Sequence, residues 1–308
     1  MSEETQTALI ADRRVRVHRQ TGRNSRVYKL EFSDGERTWL MPLWSVTTLI
    51  RGLDKPAIPY WAAKEVAKAA IKDRKHLDAD VERYGEDEAV KQLSGAPWKS
   101  RSRAGEIGTA VHTLIDAHVR GAEQPALQLA DDLVPGVTRR FEQFKRWENE
   151  WQPTWHGAEM TVFHPEDGWA GTLDELAELG TRGLGVLDVK NSNAGRDGGP
   201  GVYPEFALQI AAYAHAKEIV ASRGAWLEPL PMPEVHWGAV LWLAEDRHAL
   251  VEVDITDRVY RAFRVAAEVW RYQDGPGKEA VIGEQSPAVF GILPTPEEQA
   301  AAIAEASS

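Results

Sequence analysis

Between residues 159 and 191 the apolar positions fall into three strand-length runs, EMTVF, WAGTLDELAEL and GLGVLDVKN, parted by PEDG and TRG. Gly and Asp punctuation between segments of that length predicts a strand meander. The same alternation appears near the start of the chain. RRVRVHR and RVYKLEF, with TGRNS as the turn, and RTWLMPLW after SDGE predict an antiparallel unit with a basic outer face. Helical spacing then takes over. Ser45, Val46, Thr47 and Thr48 lead into a short helix. Pro56 and Pro59 precede a helix from about Trp61 to Arg74, and a polar helical segment follows from about Asp78 to Leu93. Gly95, Pro97 and Trp98 break that segment before the helix that contains GEIGTAVHTLIDAHV. GAEQPALQLADDLVPG reads as a linker, and VTRRFEQFKRWENEW as the helix that delivers the chain to the meander.

Beyond the meander, Pro204 suits the first turn of a helix that is expected to run to about Ala221, with a Pro-rich loop at 224–233 after it. VHWGAVLWLA and HALVEVDI read as two strands, the first so continuously apolar that it is expected to be buried on both faces. A last helix, from about Asp257 to Tyr272, gathers Val259, Phe263, Ala266, Ala267 and Trp270 on one side. Residues 1–12 and the Pro-, Ala- and Glu-rich tail from Gly275 read as loosely held, and no internal repeat is evident. The predicted fold class is α/β or α+β, a mixed central sheet flanked by helices. Its expected units are a basic strand unit at 1–44, a helical segment at 45–104, a core at 105–274 and the tail at 275–308.

Composition changes this picture in three places. No apolar run approaches the eighteen or so residues of a membrane span, and MSEETQTALIADRR lacks a signal peptide's basic start and apolar centre, so a cytoplasmic protein is expected. Cysteine is absent, which excludes disulfides, a thiolate zinc site and an iron–sulfur cluster. The net charge of −11 argues against a general nucleic-acid binder, but local distribution matters more than the total. Arg13, Arg14, Arg16, Arg19, Arg23, Arg26 and Lys29 follow one another with no acid between them. Of these, Arg13, Arg14, Arg16 and Arg19 are the candidate DNA contacts. Smaller groups, at Lys99, Arg101 and Arg103 and at Arg139, Arg140, Lys145 and Arg146, fit solvated faces equally well. Trp61 and Trp98 could stack on unpaired bases, although core packing also accounts for tryptophans in a chain that has 12 of them.

The candidate chemistry lies at the end of the meander. Side chains alternate faces along a strand, so Asp188 and Lys190 point the same way while Leu187 and Val189 enter the core. Alone, such a pair is also what a solvated strand face carries. Asp174 on the preceding strand stands close enough across a hairpin to join Asp188 around one cation, and two carboxylates with open water positions suit Mg²⁺ or Mn²⁺. On the following helix Glu205, Gln209 and Tyr213 recur every four residues as a polar stripe, opposite Leu208, Ala211 and Ala212. Upstream, Gly105 and Gly108 are expected to permit close approach of the helix that carries His112. That histidine alone reads equally as a hydrogen-bonded side chain without a ligand role.

The order GTxxH (Gly108 to His112), GTxD (Gly171 to Asp174), DxK (Asp188 to Lys190) and QxxxY (Gln209 to Tyr213) resembles the RecB-like branch of the PD-(D/E)xK nuclease superfamily. The resemblance is sharpest from about Gly105 to Tyr213. It extends more weakly to SVTTLIRGLDKPAIPYWAAK, which looks like the opening segment of phage-encoded exonucleases related to the CRISPR-associated exonucleases. It implies a restriction-endonuclease-like core and a Mg²⁺- or Mn²⁺-dependent DNA exonuclease engaged in phage DNA processing, recombination or degradation. In that reading Asp174 and Asp188 bind the metal with His112 and the backbone carbonyl of Val189, and Lys190 orients the attacking water. Gln209, Tyr213 and Glu205 contact phosphate or support the ligands, and Glu159 is an auxiliary acid at the opening of the first strand. DNA with a free end is the implied partner, with room for a single-strand-annealing or recombination protein and for an oligomer. The missing cysteines set the chain apart from the cluster-bearing relatives. Three alternatives remain open: a site-specific endonuclease, a DNA-binding protein that has lost the chemistry, and a metal enzyme acting on a small phosphoester.

Overall fold

The computed structural model describes residues 14–21, 26–192, 199–221 and 224–274. Arg13, the rest of the expected loose N-terminus and the tail from Gly275 lie outside the described residues. The expected basic strand unit forms as β1 (Arg14–Thr21), β2 (Arg26–Ser33) and β3 (Thr38–Ser45), paired antiparallel in sequence order. Alternation works as predicted in β1: Val15 and Val17 are buried, while Arg14 and His18 are exposed on the other face. Ser45 then caps α1 (Val46–Leu49), its hydroxyl accepting from the Thr48 N–H at 3.1 Å.

The helical segment is longer than its pattern implied. α2 (Ala57–Tyr84) runs 28 residues with no fully buried side chain, through the stretch where its periodicity faded. It stops at Gly85, whose φ of 85° lies in the left-handed region. Then come α3 (Glu86–Ser94) and α4 (Ala96–Val119), which begins directly after Gly95 and has Pro97 in its first turn. Gly105 and Gly108 serve no close approach, contrary to expectation, because a Cβ added at either would meet nothing within 4 Å.

After α5 (Val134–Trp151) the meander forms as β4 (Thr154–His164), β5 (Trp169–Glu178) and β6 (Leu184–Asn191). α6 (Pro204–Ala214) has Pro204 in its first turn as expected, but ends seven residues short of Ala221. The chain there becomes β7 (Glu218–Val220), in which the β-branched Ile219 and Val220 favour a strand that pairs with β4. The Pro-rich loop holds two short strands, β8 (Trp226–Leu227) against β1 and β9 (Leu230–Pro231) against β7. β10 (Trp237–Leu243) is buried throughout, β11 (His248–Val253) follows, and α7 (Asp257–Asp274) turns Phe263, Ala266, Ala267 and Trp270 inward. No helix among the described residues is long and apolar enough to cross a membrane.

The eleven strands make one mixed sheet in the order β11-β10-β6-β5-β3-β2-β1-β8, with β4 on the other edge of β5. Three apolar layers hold it. Val186 and Leu176 pack with Ile210 of α6 and Phe263 of α7 on one face. Leu187, Val189 and Leu241 meet Val111, Ile115 and Phe144 of α4 and α5 on the other. Val15, Leu30 and Phe32 close on Phe163 and Ala170. Each such fully buried side chain contributes about 1.5–3 kcal/mol.

One irregularity positions everything that follows. β5 shares one edge between two partners: β3 runs parallel to Trp169 and Ala170, and β6 antiparallel to Glu175–Glu178. Between them, at 171–174, the sheet forks. The Tyr213 ring of α6 fills the fork over Gly171, where an added Cβ would lie 2.3 Å from Cε1 of the ring. Gly171→Ala should therefore lower stability by about 1–3 kcal/mol, the usual cost of overpacking, although Ala is the better residue on an open strand. Thermal unfolding of the variant checks this, and an unchanged or raised Tm would show that Tyr213 does not occupy the fork.

Candidate active site

At the fork, β6 continues beyond its pairing with β5 and is held by β10, which runs beside it from Gly185 to Asn191. The Val189 N–H thereby loses a ladder partner on the β5 side and donates instead to Oδ2 of Asp174 at 2.8 Å. The backbone of the same residue stands beside the His112 ring of α4 and favours its protonated form. Nδ1 of His112 lies 3.6 Å from Oδ1 of Asp174. The register that pairs Ala158 with Glu175 and Met160 with Leu173 sets Glu159 across from Asp174. Glu159 lies inside β4 and not at its opening, and its backbone has a φ of 49°. A non-Gly residue there is strained by about 1–3 kcal/mol, a cost that proteins concentrate at functional positions. His112, Glu159 and Asp174 offer one ligand atom each, all within 4.8 Å of one another.

Asp188 and Lys190 share a face, as alternation requires. Lys190 Nζ is 2.5 Å from Oδ2 of Asp188, and Asp188 is 1% exposed. Gln209 of α6 donates through Nε2 to Oδ1 of Asp188 at 2.8 Å and reaches the Tyr213 hydroxyl at 3.3 Å. The stripe Gln209–Tyr213 is therefore buried against the sheet and not displayed to solvent. Glu205, one turn earlier, pairs with Lys55 at 3.1 Å instead of joining the carboxylates. Lys190 Nζ also lies 5.2 Å from the centroid of the Phe206 ring, a cation over an aromatic face.

Above these groups opens a cavity of about 770 Å³. Its wall is built by Thr172 and Asp174 of β5, Lys190, Glu159, Gln209 and Tyr213, with Thr109, His112 and Asp116 from α4. Arg19, Arg26 and Arg120 stand in it. The four arginines singled out in the sequence thus part company. Arg19 shares the Val15 and Val17 face and turns toward the cavity, while Arg14 is exposed on the opposite face. Arg16 lies 3.6 Å from Glu31 and 4.5 Å over the Trp226 ring. Arg13 lies outside the described residues. Sequence reasoning passed over Arg26 and Arg120, and the signal for Arg26 was present in the same basic run.

It also passed over Glu175. That carboxylate is 2% exposed, and its Oε2 has no hydrogen-bond partner among the described residues. Burial raises its pKa well above the ordinary value, and Asp174, Glu159 and Asp188 add to the rise. Burial also raises Asp174 and pushes Asp188 up to about 6, with Lys190 pulling the other way and Asp174 adding to the rise. Burial alone would lower Lys190, but Asp188 and Asp174 outweigh it and its pKa is raised, so the ammonium persists. His112 is lowered by burial and then by Lys190, which leaves a neutral ring able to offer a lone pair. Asp174, Asp188 and Glu159 thus gather around the Lys190 ammonium and the neutral His112 ring. Such a group fits a divalent cation, and its predominance of carboxylate oxygens, with one imidazole nitrogen, suits Mg²⁺ or Mn²⁺.

No protein-family model matches the chain, and no curated protein matches it either. Among solved structures it is similar to an alkaline exonuclease from Laribacter hongkongensis, at 14% identity over 58% of this chain and 88% of that one, with a TM-score of 0.32. The same exonuclease in complex with dAMP aligns at 14% identity over 58% and 88%, with a TM-score of 0.29. The protein SSO0001 aligns at 10% identity over 54% of this chain and 74% of that one, with a TM-score of 0.28.

Two measurements test this geometry. In calorimetric titration with Mn²⁺, Asp174→Asn should weaken binding at least tenfold, in line with the loss of a charged oxygen ligand. Lys190→Met should leave binding within a few-fold of wild type. Equal affinities for wild type and Asp174→Asn would place the cation elsewhere. The second concerns pH. A carboxyl whose folded pKa is raised stabilises the fold fully below its unfolded value of 3.8, and that contribution is lost as pH rises through about 6. In metal-free protein Asp188→Asn should therefore make the fall in Tm between pH 4 and 7 shallower, and parallel curves would contradict the burial of this carboxylate.

Proposed function

We propose that this chain hydrolyses phosphodiester bonds of DNA with a Mg²⁺ or Mn²⁺ ion held by His112, Glu159 and Asp174. The observation that carries this reading is the set of three ligand atoms within 4.8 Å of one another at the mouth of the sheet fork, beside the Lys190–Asp188 pair. A cation in that set would supply charge neutralisation at the phosphate and an acidified water. The chain's own groups do the rest. Lys190, kept protonated by its carboxylate neighbours, orients the attacking water and favours loss of its proton. Asp188 holds Lys190 over the cavity, and Gln209 holds Asp188, so that the ammonium does not wander. The resemblance to PD-(D/E)xK nucleases also gives Asp188 and the Val189 carbonyl a place among the ligands, and both lie at the fork. Tyr213, buried against Gly171, fixes the angle of α6 and with it the reach of Gln209.

Arg19 and Arg26 bring cations to this cavity in a protein of net charge −11, while Arg120 there pairs with Asp116. Phosphate affinity comes largely from such cations, and their place in one open cavity favours a polymeric phosphodiester over a small phosphoester. Digestion from a free end is the finer reading. It rests on the resemblance of the Gln209 to Tyr213 helix to end-processing nucleases, an analogy at the level of family.

The test is single-turnover cleavage of end-labelled linear DNA and of closed circles, with Mg²⁺, with Mn²⁺ and with chelator. Wild type should consume linear DNA with either ion, spare circles and stop in chelator. Lys190→Met should slow the chemical step by on the order of a hundredfold or more while DNA binding stays near wild type. Absence of cleavage by wild type with both ions would sink the proposal.

A further inference from the structure

α4 carries more than His112. Trp98, Arg101, Gly105, Thr109, His112 and Asp116 succeed one another at steps of three or four residues, so they share one face of the helix. A second cavity, of about 750 Å³, lies along that face between Trp98 and the stretch Ala126–Leu129. It shares Thr109 and Thr113 with the cavity of the candidate active site, so the two form one continuous groove. Midway, the Cα of Gly105 opens on empty space, since an added Cβ would meet nothing within 4 Å.

The far end of the groove has an unusual surface. Trp98 is 69% exposed, a large aromatic with its faces available, and the Arg101 guanidinium lies 6.0 Å from its ring centroid. An exposed indole beside a guanidinium offers a flat face on which a base can stack. The charges along the groove point the same way. Arg101 lines the cavity beside Trp98, and Arg51, outside both cavities, is near enough to Arg101 and Arg26 to be repelled by each. Arg26 in turn stands in the active-site cavity. Cations gathered against their mutual repulsion on an acidic protein form a site for a polyanion. Of the acids on this face, Asp116 pairs with Arg120 at 2.5 Å, and Glu106 accepts from Ser102 at 3.2 Å and has the Arg103 charge nearby.

We infer that this face of α4 is a track for an unpaired DNA strand, which runs from the candidate active site past Arg26 and Arg101 and stacks a base on Trp98. The active-site end of the track rests on the proposed phosphodiesterase; the Trp98 end does not. A single strand is the occupant because its bases are free to stack, whereas a duplex hides their faces. Fourteen residues of helix separate Trp98 from His112, about 21 Å at 1.5 Å per residue, a distance that a strand of sixteen nucleotides spans.

The test is fluorescence anisotropy of labelled oligo-dT strands of sixteen and of four nucleotides, and of a blunt duplex, with the full chain in chelator. Trp98→Ala should weaken binding of the sixteen-mer about tenfold, the loss of one stacked base, and leave the four-mer and the duplex unchanged. Trp98→Phe should restore most of the loss, and Arg101→Gln should reduce the salt dependence by about one phosphate contact. Trp98 is exposed, so the variants should keep the wild-type Tm. Equal binding of the sixteen-mer by wild type and Trp98→Ala overturns the track, as does an equal loss for the duplex. Oligo-U bound tenfold more tightly than oligo-dT overturns the assignment to DNA. Cleavage in Mn²⁺ is measured alongside: no cleavage with a Trp98-dependent sixteen-mer sinks the phosphodiesterase and keeps the track, while cleavage without Trp98 dependence does the reverse.

Discussion

The fork in the sheet is the constraint on which the rest depends. β5 cannot pair with β3 and β6 along its whole free edge, and where the two part, backbone groups lose their partners. A buried N–H without an acceptor costs about 1–3 kcal/mol. Asp174 removes that cost by accepting from Val189, and in doing so it becomes fixed in place before any ligand arrives. The same gap admits α4 from one side, with His112, and α6 from the other, with Gln209 and Tyr213. A continuous sheet would have no room for either.

Placing four carboxylates around this gap is expensive, because desolvation disfavours each charge and each raises its neighbours. Lys190 lies against Asp188. Asp174 and Glu175 are raised by burial beside it, and Glu159 adopts a strained backbone to join them. The stability spent there is consistent with a site shaped for a cation and a phosphate rather than for the resting fold. Around it the apolar layers compensate, with Leu187 and Val189 alternating between the acid and the lysine and locking β6 against α4 and α5.

The periodic parts of this arrangement were legible in the residues. Alternation put Asp188 and Lys190 on one face, Pro204 marked the start of α6, and the unbroken apolar run 237–243 marked a buried strand. What was not legible depends on groups far apart in the chain. The Glu205, Gln209 and Tyr213 stripe looks like a solvent face by polarity alone; only the fork, with Gly171 leaving space, makes Gln209 and Tyr213 inner residues while Glu205 stays with Lys55. Arg19 reads like Arg14 until the register of β1 sends them to opposite faces. Glu159 seemed to open a strand because a left-handed backbone inside β4 has no sequence signature. Glu175, beside Asp174, was hidden as an ordinary strand polar residue. Helix ends misled where tertiary pairing decided them, at Ala214, where β7 claims the chain, and at Tyr84, where polar periodicity faded although the helix did not.

The central claim is that the fork gathers His112, Glu159 and Asp174 into a place for one divalent ion. Anomalous diffraction from crystals grown with Mn²⁺ tests it most directly. The account predicts a single strong peak bonded to those three side chains, beside the Val189 carbonyl and in reach of Lys190's neighbour Asp188. A peak bonded elsewhere, or none at saturating Mn²⁺, would contradict it.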